Sequence, residues 1–196
     1  MMDPSINTAA GNPSILQDAA IVYKMGGGFE AKIGQFKNLQ TYEGVMSSGE
    51  VLFAERAQLS RQFGDKRDRG LALNYAFGDP KDFGGKATVA FFNGMNDAIS
   101  GKGNDANAQK DFVARLELNY GKTMKFGVYT LQGATDQADK GGLAAKTFAG
   151  VATAVPTPAQ ILDSKDKTTN LGAFYVFQND VWHFSAEAMT GFLGRR

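Results

Sequence analysis

The arginines and lysines are the side chains with most chemistry to offer in this 196-residue chain. Lys24, Lys32, Lys86, Arg115 and Lys125 fall on the polar side of segments whose other side is apolar, with Glu30, Glu117 and Glu187 as acidic company. A second group gathers over 55–69, where Arg56, Arg61, Lys66, Arg67 and Arg69 stand against Glu55, Asp65 and Asp68. Both sets carry a small basic excess. Such groups can attract an anion: the planar guanidinium fork matches two oxygens of a phosphate, and the ammonium acts as a point charge. The competing use is pairing with the acidic neighbours. Arg69 shares the parity of Leu71 and is expected to point away from the others.

Other chemistries are excluded by residue type. There is no Cys and one His, which removes disulfides, Cys-ligated zinc, iron–sulfur clusters and any two-histidine site. His183 has no nucleophile motif near it and reads as a hydrogen-bonded wall residue. Gly121-Lys122-Thr123 lacks the glycine five residues earlier that a phosphate-binding loop needs, since Leu116 is there, so it reads as a hairpin turn. Gly101-Lys102-Gly103 with Ala106 is followed by a strand, not by the helix of a dinucleotide site. No carboxylate pair stands out as an acid–base couple. The chain is therefore expected to be no enzyme and to use no cofactor or metal. A net charge of +1 gives no global field for nucleic acid.

The elements that must position the cations are strands. From Asp111 to Tyr120, Phe112, Ala114, Leu116, Leu118 and Tyr120 alternate with Val113, Arg115, Glu117 and Asn119. This is period two, and a helical period would mix Arg115 and Glu117 into the apolar side. The pattern recurs and predicts eight strands near 18–25, 29–37, 67–77, 85–94, 111–120, 124–133, 168–178 and 181–191. Most are as long as a tilted strand crossing a bilayer, and longer than the average soluble strand. No apolar run approaches the length of a transmembrane helix. Residues 1–17 read as irregular, and 18–196 as one strand-built region.

The connections alternate. Gly26-Gly27-Gly28, Gly78 to Gly84, Gly121-Lys122-Thr123 and Gln178-Asn179-Asp180 are short; loops 38–66, 95–110 and 134–167 are long. Short turns at one end and long loops at the other are the build of an outer-membrane barrel. Tyr23, Phe29, Tyr75, Phe77, Tyr120, Phe126, Phe177 and Trp182 lie beside the short turns, where an interfacial aromatic girdle belongs. Loop 38–66 is long enough to fold inward as a constriction or to cap the mouth, with a short helix or turn within Gly49–Ser60, and the sequence leaves both open.

Through that loop and the strand ends beside it run Ile33-Gly34-Gln35-Phe36-Lys37, then Tyr42-Glu43-Gly44-Val45-Met46-Ser47-Ser48-Gly49, then Phe53-Ala54-Glu55-Arg56-Ala57, then Arg67-Asp68-Arg69-Gly70. Their order and spacing resemble the phosphate-selective porins O and P. The close likeness covers roughly residues 18–95. A looser one, with pieces such as Phe92-Asn93-Gly94 and Glu187-Ala188-Met189-Thr190-Gly191, runs to the end. The resemblance implies a sixteen-stranded transmembrane antiparallel β-barrel in a Gram-negative outer membrane, a homotrimer amid lipid and lipopolysaccharide, conducting small inorganic anions.

The expected fold is thus all-β, with about eight strands of such a barrel. Met1-Met2-Asp3-Pro4-Ser5 carries no signal peptide, and Gly194-Arg195-Arg196 no terminal aromatic, so an N-terminal-half fragment is expected, with a complete small barrel as the second choice. The expected function is passive diffusion of phosphate-like anions past Lys24, Lys32, Arg56, Arg61, Lys66, Arg67, Lys86, Arg115 and Lys125. The alternatives are a structural or anchoring eight-stranded barrel without steady conductance, a weakly selective general porin, and a soluble β-sheet protein that binds a small ligand.

Overall fold

The computed structural model describes residues 18–79, 81–94, 110–134, 147–148, 151–152 and 167–194. Segment 1–17 and most of loops 95–110 and 134–167 lie outside the described residues, as do Gly101-Lys102-Gly103 and Ala106. The fold is all-β. Eight antiparallel strands form one sheet in which every strand pairs with its neighbours along the chain: β1 (Ala19–Gly26), β2 (Phe29–Lys37), β3 (Arg67–Gly78), β4 (Phe83–Phe92), β5 (Asp111–Tyr120), β6 (Met124–Ala134), β7 (Lys167–Gln178) and β8 (His183–Gly194). A separate two-residue ladder pairs Thr147–Phe148 with Val151–Ala152. No helix among the described residues is long and apolar enough to cross a membrane.

Local chemistry sets the turns. Gly26, Gly27 and Gly28 have φ of 84°, 58° and 87°, and a Cβ at Gly28 would stand 2.1 Å from the Ala76 carbonyl oxygen. Only glycine takes that turn without strain. β8 begins two residues later than the alternation predicts, because Asn179 Oδ1 accepts from the backbone N–H groups of Val181 and Trp182 (2.9 and 2.6 Å). β4 begins two residues earlier than predicted, since Asp79 N–H donates to the Phe83 carbonyl and Gly78 pairs with Gly84.

The sheet is open. β1 and β8 are its edges, and no ladder joins them, so the expected closed barrel is present as an eight-stranded antiparallel sheet. β1 is exposed along its whole length. Among the described residues each edge strand pairs on one side only, and the other side is a template for another strand.

The two faces differ in cover. One bears Ile33, Leu71, Leu73, Tyr75, Val89, Phe91, Phe126, Val128 and Leu171, all at least 36% exposed, a bare apolar surface. Aromatics meet across strands on that face near the short turns, with Phe29 stacked on Tyr75 at 4.5 Å between centroids and Phe126 tilted against Tyr175 at 5.0 Å. The other face carries the buried residues. Phe36, Ala72, Ala90, Phe92, Val113 and Leu131 form one cluster, and Tyr129, Phe174 and Val176 a second. Leu39 packs on the first and Tyr42 on the second, so the loop after β2 covers this face.

Candidate functional site

The loop between β2 and β3 is held on the covered face by side chains that include the cation Arg115. It leaves β2 at Lys37, crosses the sheet, makes one helical turn α1 (Tyr42–Val45), and returns through a single π-helical turn at Ser60–Gly64. The stretch Gly49–Ser60, where a short helix or turn is expected, runs mainly in turns and bends. The loop lies over the covered face of the sheet, on the side where Arg115, Glu117 and Glu187 project.

Three anchors hold it there. Arg115, 5% exposed, donates from Nη1 to the carbonyls of Leu39 (3.1 Å) and Thr41 (3.0 Å), and its Nε pairs with Glu117 at 2.7 Å. Its guanidinium carbon lies 5.0 Å from the Phe174 ring centroid and 5.7 Å from that of Tyr129. Glu187 Oε1 accepts from the Tyr42 backbone N–H and from the Tyr129 hydroxyl, both at 2.8 Å. Asn170 donates from Nδ2 to Gln40 Oε1 at 3.0 Å. Tyr42 lies on Phe174, with centroids 4.9 Å apart, and Lys125 Nζ stands 5.9 Å from the Tyr42 ring. Burial, then the Glu117 carboxylate, pushes the Tyr42 phenol above its ordinary range, so it stays neutral.

The backbone at the anchors is unusual. Leu39 and Thr41 have φ of 63° and 54°, a region that branched side chains avoid. Such conformations cost on the order of 1–3 kcal/mol each and persist only when the surroundings over-determine them. Arg115 takes the carbonyls of both residues. Thr41 is fully buried, and its Oγ1 accepts from Gly44 N–H at 3.1 Å. A Cβ at Gly64 would stand 1.8 Å from that Oγ1, so glycine there lets the return strand of the loop close over Thr41.

Arg56 organises the loop internally. It is 9% exposed, donates to the carbonyls of Glu43 and Met46, and pairs through Nε with Asp65 at 3.3 Å. Lys37 joins the same knot, with Nζ 2.5 Å from the Met46 carbonyl and 3.6 Å from Asp65. Two of the nine cations expected from the sequence, Arg115 and Arg56, thus turn to the protein's own carbonyls and carboxylates, with Arg115 through Nε and Nη1 while its Nη2 is buried without a partner among the described residues. Arg61 is exposed and paired with Glu55 at 2.7 Å. Lys24 and Lys86 are exposed, opposite Glu30 and Glu117 in the ladders. Lys66 is half-buried at the loop's return, where its carbonyl accepts from Asn38 N–H. Arg69 points to the opposite, bare side, as its parity predicts.

Lys32 and Arg67 do come together. With Lys37, Ser47, Ser48 and Asp18 they line a cavity of about 310 Å³ between the loop and the wall made by β2 and β3. Lys32 Nζ sits 4.6 Å from the Phe36 ring centroid, and Arg67 Nε is 2.7 Å from Asp18. Three cations, one carboxylate and two hydroxyls suit a small anion in charge and in donor type. Sequence reasoning missed Lys37 and the serines as lining, because their approach depends on how the loop folds. It also missed Thr41, Tyr42 and Asn170, for which no local signal exists. No group of metal-ligating side chains occurs among the described residues.

Residues 3–194 match the family model described as phosphate-selective porin O and P. No curated protein and no solved structure matches the chain.

Proposed function

We propose, from the premise that the chain belongs to the phosphate-selective porin O and P family, that it contributes the wall and constriction loop of an outer-membrane channel passing small anions of the phosphate type. The observation that carries this reading is the loop over 38–66, which lies on the charged side of a sheet whose other side is bare and apolar. The bare side suits lipid, and its stacked aromatics near the short turns suit the membrane interface. The net-basic cavity of Lys32, Lys37, Arg67, Ser47 and Ser48 lies beside the loop, where a permeating anion would exchange part of its hydration for fixed donors. Closure of the strands into a barrel, assembly as a homotrimer, location in a Gram-negative outer membrane and contact with its lipopolysaccharide belong to the same reading. So do residues 1–17 as an irregular segment ahead of a strand-built region over 18–196.

Planar-bilayer conductance in a salt gradient tests it. The reversal potential is expected on the anion side, with inorganic phosphate reducing chloride current. Lys32→Gln with Arg67→Gln is expected to weaken that phosphate block several-fold while the channel still opens. A cation-selective reversal potential overturns the reading, and a value near zero indicates a general porin.

A second reading has an observation of its own. The two apolar clusters and the loop fill part of the covered face, as in a barrel whose lumen is packed with side chains. That reading predicts no steady conductance in the same experiment.

A further inference from the structure

The bare face carries a feature that ion passage does not use. Near its long-loop end the register places Ile33 opposite Leu71, Leu71 opposite Phe91, and Phe91 opposite Phe112, an apolar row across β2, β3, β4 and β5. Ile33, Leu71 and Phe91 are 58%, 41% and 56% exposed. The Phe91 and Phe112 rings meet at 5.2 Å. One pair further toward the loops the same face turns polar. Gln35 stands opposite Arg69, Asn93 N–H donates to the Arg69 carbonyl, and Lys110 Nζ donates to Asn93 Oδ1 at 2.5 Å. Arg69 is exposed and makes no ion pair among the described residues. Ile33, Leu71 and Phe91 with Arg69, Asn93 and Lys110 line a groove of about 770 Å³.

We propose that this groove is a binding site for a phosphorylated, acylated lipid of the surrounding membrane, with acyl chains along the apolar row and phosphate groups on Arg69 and Lys110. The inference rests on the reading of the chain as membrane-embedded. The two cations sit two strand spacings apart, roughly 10 Å, which suits a headgroup with more than one phosphate. Arg69 offers the planar fork and Lys110 the point charge. Both stand at the level where basic side chains meet headgroups, directly above side chains that belong in hydrocarbon. The long-loop end is the extracellular one in outer-membrane barrels, so the ligand is a lipid of the outer leaflet, of the lipid A chemical type. A second copy of the chain is the other occupant an apolar face can take, but two cations at its rim favour an anionic partner.

The test uses the full chain in phosphatidylcholine nanodiscs, titrated with a bis-phosphorylated lipid A-type glycolipid and read by native mass spectrometry, with inorganic phosphate as competitor. We expect retained glycolipid with the wild-type chain. Arg69→Gln with Lys110→Gln is expected to lower the apparent affinity roughly thirtyfold, from the usual contribution of two basic residues at an anionic surface. Arg69→Lys alone is expected to keep most of it. Inorganic phosphate is expected to compete weakly, because it lacks the acyl chains. Equal glycolipid retention by the double variant overturns the site. So does a double variant that changes oligomeric state without losing lipid, which would assign the face to a second copy. A chain that enters no nanodisc overturns the membrane reading and the site with it.

Discussion

Replacing Arg115 with alanine is expected to release the loop over 38–66 from the sheet and to raise single-channel conductance. The substitution removes the donor shared by the Leu39 and Thr41 carbonyls and leaves Glu117 without its buried partner. Breaking a buried charge pair by deleting one member costs about 3–5 kcal/mol. The strained backbone at Leu39 and Thr41 adds to the drive, because each relaxes once its carbonyl is free. Arg115→Lys is expected to fall between wild type and alanine, since a single ammonium cannot reproduce the flat fork that reaches both carbonyls and Glu117. Conductance and limited proteolysis of the loop are the measurements. An unchanged conductance with a protected loop would show that Glu187 and Asn170 suffice to hold it.

Gly172→Val is expected to cost about 1–3 kcal/mol by crowding alone and to undo the Glu187 anchor. Gly172 faces Tyr129 across the β6–β7 ladder, and Gly127 faces Phe174, so each ring lies on the glycine of the other strand. A Cβ at Gly172 would stand 2.2 Å from Tyr129 Cζ and 2.3 Å from its hydroxyl oxygen. The ring must move, and the hydroxyl moves off Glu187 with it. Tyr129→Phe separates the two effects, because it keeps the ring on Gly172 and loses only the hydrogen bond, worth about 1 kcal/mol. Urea unfolding of the reconstituted chain is expected to rank wild type above Tyr129→Phe and Tyr129→Phe above Gly172→Val. Equal midpoints for the two variants would mean that the glycine contact carries no packing strain.

The strands were legible because period two is a local signal. The alternation over Asp111–Tyr120 and Phe29–Lys37 meets the observed strands at both ends. Among the ends that moved, those at Phe83 and His183 did so through hydrogen bonds of Asp79 and Asn179 that alternation does not encode. Parity also placed Arg115, Glu117 and Glu187 on one face and Arg69 on the other. What it could not supply was their use. Parity offers Arg115 as a cation for a passing anion, yet its Nη1 donates to carbonyls of residues 74 and 76 positions away in sequence. Leu39 and Thr41 carry no sign of their left-handed backbone, since neither is a type that favours it. The cavity of Lys32, Lys37 and Arg67 was half legible: its wall follows from strand parity, and its serines come from the fold of the loop.

The strand order has a consequence for how the molecule assembles. Every ladder joins neighbours along the chain, so strands can zip one after another with little chain entropy spent per step. The loop belongs to the second connection, yet its contacts reach Asn170 and Glu187, 130 and 145 residues ahead of their partners Gln40 and Tyr42. During folding the loop must therefore wait, unanchored at those points, until the eighth strand has joined. Protection of Tyr42 against exchange or cleavage would act as a clock for that moment, marking when the sheet is long enough to hold its own loop.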